Sequence, residues 1–473
     1  MKTEPRDTSS SKPTSTLESL ATLALSIRYE ELPAAVVQKT KALLLDTLGC
    51  AYGGLASDVV RATRAVADEC GGAPHASLFG GGRTSMPLAT FVNGSALRYL
   101  DSNDYYFARD PAHPSGNVAV ALAVGEYKRC SGRELIAALV AAYEVHLRLC
   151  DFAGEPSLWK RGWHHGTNVA FSSSALASRL LGADALHTAH AMAIAGSHQN
   201  TLAQLQSGAV SMIKATAEAW VAKAGVEAAL LAGQGVTGPL PLFEGQNGWG
   251  VTVAGGVDLA SLTAPLNGHY RLNDVSIKPY PVVATAVAPV SAAIALHRAG
   301  LPPLMQIDKL IVKLPAFALA TPSAAAERRY PKHIESAQHS FYYCVAIALI
   351  DGACGDAQFT PEKLTSPAVR ELLAKVELRE DPSFSAQWPQ TAGGGVELQL
   401  HDGSARRHDN AYPLGHPRCP LDDDELAEKF YEHASGALTR PPPEKLHAAG
   451  DQLEACPDLR EFPKLFGGAS SLS

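Results

Sequence analysis

The chain has 473 residues, 46% of them apolar and 18% charged, with a formal net charge of −7 at pH 7. That length exceeds one compact core and predicts two domains, and the composition excludes the disordered and fibrous classes. An acidic balance without a Lys/Arg run excludes a general nucleic-acid binder, because neutralising phosphates takes clustered cations.

The first sixteen residues are polar and lack the apolar stretch of a secretory signal, so 1–16 reads as a flexible tail on a cytoplasmic protein. Signals from about Leu17 to Asn267 are helical. Pro33 suits the first turn of a helix whose apolar side includes Val37, Leu44 and Leu48 and which Gly49 ends. Ser131 and Glu134 have the spacing of a capping box, and Leu135, Leu139, Ala142 and His146 follow at helical intervals. Asp184 caps a helix through Ile194. The Gly-rich stretch from Gly233 to Gly256 lacks both the Gly-Lys-Ser/Thr of a phosphate loop and a strand–Gly-x-Gly-x-x-Gly–helix unit, and reads as a mobile loop over a pocket. The low-polarity stretch from Val282 to Leu296 is shorter than the roughly 18 to 20 residues that cross a bilayer and predicts a buried helix. Beyond residue 300 the period changes to alternation, in Ile307 to Leu314 and Val396 to Leu400, with Asp402 and Gly403 as a hairpin turn. Ser340 to Gly352 reads as a buried helix between these strands. Acids following Leu421 open another helix, and Pro441 a last one. The fold class is mainly α: a large all-helical domain built from residues 17–270 and 416–473, with a smaller α+β domain, 271–415, inserted.

Eight scattered cysteines, with no Cys-x-x-Cys pair, lack zinc or iron–sulfur spacing and predict reduced core thiols. His187 and His190 are neighbours on a helix, as a metal site would need, but more often such a pair is a solvated edge. Gly-x-Ser-x-Gly is absent, so no serine hydrolase is indicated. The segment from Leu100 to Asn117 concentrates acids, aromatics and His113 between two apolar helices. Prolines flanking His113 fix the imidazole direction as proton transfer requires; the alternative is a capped turn whose histidine bonds its own backbone. Arg161 to Thr167 opens the next helix, where adjacent His164 and His165 are expected to point one inward and one outward. Helix amides nearby favour a carboxylate ligand. Lys214 and Lys278 lie in apolar settings, either snorkelling to water or pairing with an anion.

Taken together these segments resemble the MmgE/PrpD family. The resemblance runs through nearly the whole chain: Leu44 to Gly49, Phe91 to Gly94 with Leu100 and Asp101, His113 to Gly116, Gly162 to His164, Met212 to Lys214, Lys278 to Pro281, His339 to Phe341, and Pro420 to Phe430. It implies a helical domain made from both chain ends, a smaller α+β lid, a homodimer, and chemistry without metal or cofactor on a small polycarboxylate. Carried over by position, Asp101, His113, His164 and Lys214 match the family's active-site positions, and Lys278 matches the lysine where lid and helical domain meet. Tyr105 falls where the decarboxylase branch has a threonine. Arg98 replaces a frequent histidine, and Val283 stands where the cis-aconitate decarboxylase branch has one, which counts against that reaction.

Removing a proton beside a carboxylate builds enediolate-like charge, so a site needs a base poised near neutrality and fixed cations facing the carboxylates. The expected roles are His113 and His164 as acid/base pair, Asp101 as partner to one of them, and Lys214 and Lys278 as carboxylate anchors, with Arg98, Tyr105 and His165 as further substrate-binding residues. Which histidine accepts the proton is left open. The leading activity is a 2-methylcitrate dehydratase-like hydro-lyase. Decarboxylation of the cis-aconitate type and epimerisation of the iminodisuccinate type use overlapping groups, and a polycarboxylate-binding sensor is the non-enzyme reading.

Overall fold

The computed structural model describes residues 15–152, 154–208, 210–256, 258–437 and 442–467. Of the expected tail, 1–14 lie outside these; Ser15 instead caps the first helix, Thr16–Ser26, by accepting from the Glu18 amide. Pro441 and residues 468–473 are outside them too.

Among the described residues two large hydrophobic cores form, each from residues whose sequence period fits its elements, beside a small third cluster around Leu78, Leu88 and Val92. The first is helical and gathers Leu17, Leu44, Val140, Phe171, Val226 and, from the far end of the chain, Phe430 and Leu453. Gly132–Phe152 starts at the Ser131/Glu134 capping box, in which the Ser131 amide donates to Glu134 and the Glu134 amide to Ser131. Ala185–His198 starts on Asp184, and Asp423–Ala434 on Asp422 and Glu425. Gly49 does not end its helix, which continues as Ala34–Gly54. A Cβ at Gly49 would lie 3.1 Å from the Cα of Phe430, so the missing side chain lets the returning helix Asp423–Ala434 approach. The stretch from Gly233 to Gly256 lines a separate pocket beside Gly196 and Asn200, not the main cleft, and its Phe243 and Trp249 are buried in the first core, against Phe171.

The second core runs from Val282 to Leu398. Its sheet has the order Val376–Glu380, Ile307–Leu314, Gly394–Leu400, Ala405–Asn410, antiparallel except for the first pair. Helices Val287–Arg298 and Phe341–Asp351 bury their apolar faces in the same core. The helix expected over Val282 to Leu296 is thus shifted, because Pro281 and a 3₁₀ turn at Ala284–Ala286 precede it. The parallel edge strand was not anticipated: Val376 to Glu380 alternates over five residues only, with two apolar positions.

Five of the cysteines are buried, but Cys70 is exposed and Cys419 and Cys456 are partly so, which corrects the expectation of core thiols throughout. Among the described residues no single helix is long and apolar enough to cross a membrane.

Candidate active site

Two residues of strand on each side assemble the site. Asp104 and Tyr105 pair antiparallel with Ile277 and Ser276, stitching the loop after helix Met86–Tyr99 to the segment that enters the second core. Lys278, the next residue, is thereby brought to Asp101. Its ammonium donates to the Asp101 carbonyl at 2.8 Å and lies 3.1 Å from Asp101 Oδ1. Lys214, in the first turn of Ile213–Gly233, reaches the same oxygen at 3.1 Å. His339 Nε2 stands 3.3 Å from Oδ2.

All four groups are buried. Burial alone would push the Asp101 carboxyl up, but Lys214, Lys278 and His339 outweigh it and hold the group well below the carboxylate range. Burial brings the Lys278 ammonium down to about 8 and lowers that of Lys214, with Asp101 opposing both. It takes His339 down to about 3, helped by Lys214. A neutral His339 has one N–H for two acceptors, Asp101 and, at 3.0 Å from Nδ1, the Glu335 carbonyl. Asp101 sits at φ 55, in the left-handed region where non-glycine residues are uncommon, so the loop that turns its carboxylate onto the lysines is strained. Where the sequence led to His113 or His164 as the partner of Asp101, the imidazole within ion-pair distance is His339, with His113 acting on the carboxylate from farther off.

Three imidazoles form a second cluster. The rings of His164 and His165 are 3.8 Å apart and those of His113 and His165 5.3 Å, measured between centroids. Both adjacent histidines are buried, contrary to the inward/outward expectation. The helix rule does not apply, because His164 is extended, with φ −86 and ψ 147, ahead of the 3₁₀ turn His165–Asn168. Their hydrogen bonds differ. His113 Nδ1 is 2.7 Å from the Asp104 carbonyl, which can only accept, so Nδ1 carries the hydrogen and Nε2 keeps its lone pair. His164 Nδ1 accepts from the Gly166 amide at 3.0 Å, so its hydrogen is on Nε2, a buried atom with no hydrogen-bond partner. His165 Nε2 lies 3.1 Å from Glu218 Oε1, and Glu218 Oε2 is 2.9 Å from Arg98 Nε. Burial pushes both His113 and His164 well below the usual imidazole range, so both are neutral at pH 7. Arg98 and His165 outweigh burial at Glu218 and hold its carboxyl below the ordinary value.

A cleft of about 1110 Å³, open mouth included, reaches these groups. Asp101, Tyr105, His113, His165, Lys278 and His339 line it; His164, Lys214 and Arg98 stand behind this lining. Tyr105 presents a buried ring whose phenol burial drives upward. Val283 also faces the cleft. Among the described residues no group of three or more His, Cys, Asp or Glu side chains is placed to hold a metal ion. His187 bonds Asp184 at 2.7 Å and His190 lies 3.2 Å from the Gly238 carbonyl.

Family models for the MmgE/PrpD N-terminal domain and C-terminal domain match residues 18–261 and 280–454. The chain belongs to the MmgE/PrpD family. Within it, the chain is 29% identical to cis-aconitate decarboxylase of Homo sapiens, over 96% of this chain and 95% of that protein. It is 26% identical to the mitochondrial 2-methylcitrate dehydratase of Yarrowia lipolytica, over 92% and 87% of the two chains. To the 2-methylcitrate dehydratase of Salmonella typhimurium it is 24% identical, over 82% and 83%. Beside the positions matched to the MmgE/PrpD pattern, the site contains two residues that sequence reasoning did not assign a role. Glu218 follows Lys214 by four residues, one helical turn, a spacing that places both on one face. His339 carried no signal beyond its place in a family motif, since its approach to Asp101 depends on how the second core docks.

Proposed function

We propose that the chain is an enzyme, a hydro-lyase acting on a 2-methylcitrate-like hydroxy polycarboxylate. The observation that carries this reading is the hydrogen-bonding of His113: Nδ1 is tied to the Asp104 carbonyl, the ring is neutral, and Nε2 is left as an acceptor on a residue that lines the cleft. A neutral imidazole fixed this way is a base. Dehydration and epimerisation begin by taking a proton from the carbon beside a carboxylate, whereas decarboxylation ends by giving one.

The roles follow. Lys278 and Lys214 compensate a substrate carboxylate that shares or displaces the Asp101 carboxylate, and stabilise the charge that builds as the C–H bond breaks. His113 Nε2 takes the proton, the C–O bond breaks, a C=C bond forms, and the departing hydroxide receives a proton to leave as water. A ring that hands over a proton needs a counter-charge, and of the three clustered imidazoles His165 has a carboxylate, Glu218, on a ring nitrogen. We therefore place the acid on His165, and give His164, behind the lining with its ring 3.8 Å from that of His165, the role of holding that ring in place. This revises the pairing of His113 with His164 drawn from the sequence.

A second reading, decarboxylation of cis-aconitate, draws support from the likeness to the human decarboxylase over nearly the full length of both chains. Against it stands Val283 in the cleft. Proton NMR of the chelator-treated protein in deuterated buffer with citrate, 2-methylcitrate, cis-aconitate and iminodisuccinate decides among them. An olefinic product from 2-methylcitrate is expected. Carbon dioxide release from cis-aconitate alone would establish the decarboxylase, and absence of both turnover and deuterium wash-in would leave a sensor. Activity lost on chelation would overturn the metal-free chemistry.

A further inference from the structure

The cleft is not uniform. Its inner end holds the Asp101, Lys278 and His339 cluster, and its mouth is walled by Phe107, Trp159, Trp163 and Phe317, all only partly buried. Trp388 stacks on Phe317 with ring centroids 4.0 Å apart and 12° between planes, and meets Phe107 at 4.9 Å. Phe107 in turn lies 5.0 Å from Tyr105. The aromatic wall is therefore continuous from the inner site outward and draws on both cores.

This wall is a poor match for a ligand that is acidic at every end. The cationic side chains that line this part of the cleft are Lys160, on its exposed rim, and the buried Arg328. Arg328 is committed to the carbonyls of Gln206 and Gly208, at 3.1 and 2.7 Å. Asp110, bonded to the Leu158 amide, adds a carboxyl to the same stretch. A small tricarboxylate seated on Lys278 would leave the aromatic wall in water, although large apolar surfaces held open in a cleft ordinarily mark a ligand contact.

We propose that this mouth is a subsite for an apolar substituent, so that the preferred substrate is a polycarboxylate carrying an alkyl chain of several carbons. The inference rests on the polycarboxylate reading above and names the substrate class of the same site. Because Trp388 braces Phe107 and Phe317, the walls are already ordered before the chain arrives, and little side-chain freedom is lost on binding.

The test is a series of 2-alkylcitrates with methyl, propyl and pentyl groups. kcat/KM is expected to rise by about fourfold for each methylene that reaches the wall, and Phe317→Ala and Phe107→Leu should each flatten that rise. A flat or falling series in the wild type overturns the subsite, and so does a slope that neither variant alters. Calorimetric binding of the same series to His113→Ala reads the subsite without turnover. Affinity that grows with chain length, with no member of the series turned over by the wild type, would sink the hydro-lyase reading and keep the subsite. Turnover with no chain-length dependence in rate or affinity would do the reverse.

Discussion

The two sides of the cleft are built differently. The helical side supplies His113, His164, His165, Lys214 and Glu218, and fixes His113 and His164 through main-chain groups, the Asp104 carbonyl and the Gly166 amide. The side belonging to the second core supplies His339, together with an apolar stretch of the wall formed by Val283, Ala284, Phe317, Ala320 and Pro322. Backbone groups can set which nitrogen of a ring carries its hydrogen; apolar walls can only select by shape and contact. On the proposed reading the proton transfer sits on the first side, while the aromatic wall that would meet a substituent is shared between the two.

Breaking the first side should have the largest effect. His113→Ala is expected to lower kcat by about a hundredfold or more with an unchanged fold by circular dichroism; full turnover would remove His113 from the mechanism. Lys214→Ala should raise KM by roughly tenfold or more through loss of a charged contact; an unchanged KM would contradict anchoring. Val283→His sharpens the contrast from the other side: carbon dioxide release from cis-aconitate should rise about tenfold, and no gain would show that the wall does not decide the reaction. Smaller still is the pH effect. Lys278 is protonated below about 8 and loses its charge above, so kcat/KM should fall through that pH, while the acid limb set by His113 lies below the usual imidazole range. A profile flat from pH 7 to 9.5 would count against Lys278 as an anchor. Away from the cleft, Gly49→Ala should cost about 1–3 kcal/mol in denaturant unfolding by crowding Phe430.

Much of the frame was legible because it is local. Capping residues Ser131, Asp184 and Asp422 mark real helix starts, and alternation found Ile307–Leu314. What failed depended on contacts between distant elements. Gly49 looked like a stop signal because only the packed Phe430 shows what its hydrogen makes room for. Helical spacing points His164 and His165 in opposite directions, but His164 is extended, His165 opens a 3₁₀ turn and the α-helix starts only at Val169. The Asp101 carboxylate could be recognised as important, but the sequence offered His113 or His164 as its partner, since Lys278 and His339 reach it from 177 and 238 positions further along the chain.

The far end of the chain has its own hold on this loop. Lys429, on the returning helix, donates to both the Asp46 carboxylate and the Ser102 carbonyl at 2.6 Å for the latter, one residue from Asp101. A nascent polypeptide would therefore leave the ribosome with nearly every reactive group already synthesised and yet without the tether that seats them. That hold is available only once Lys429 has been made, after every residue that lines the cleft.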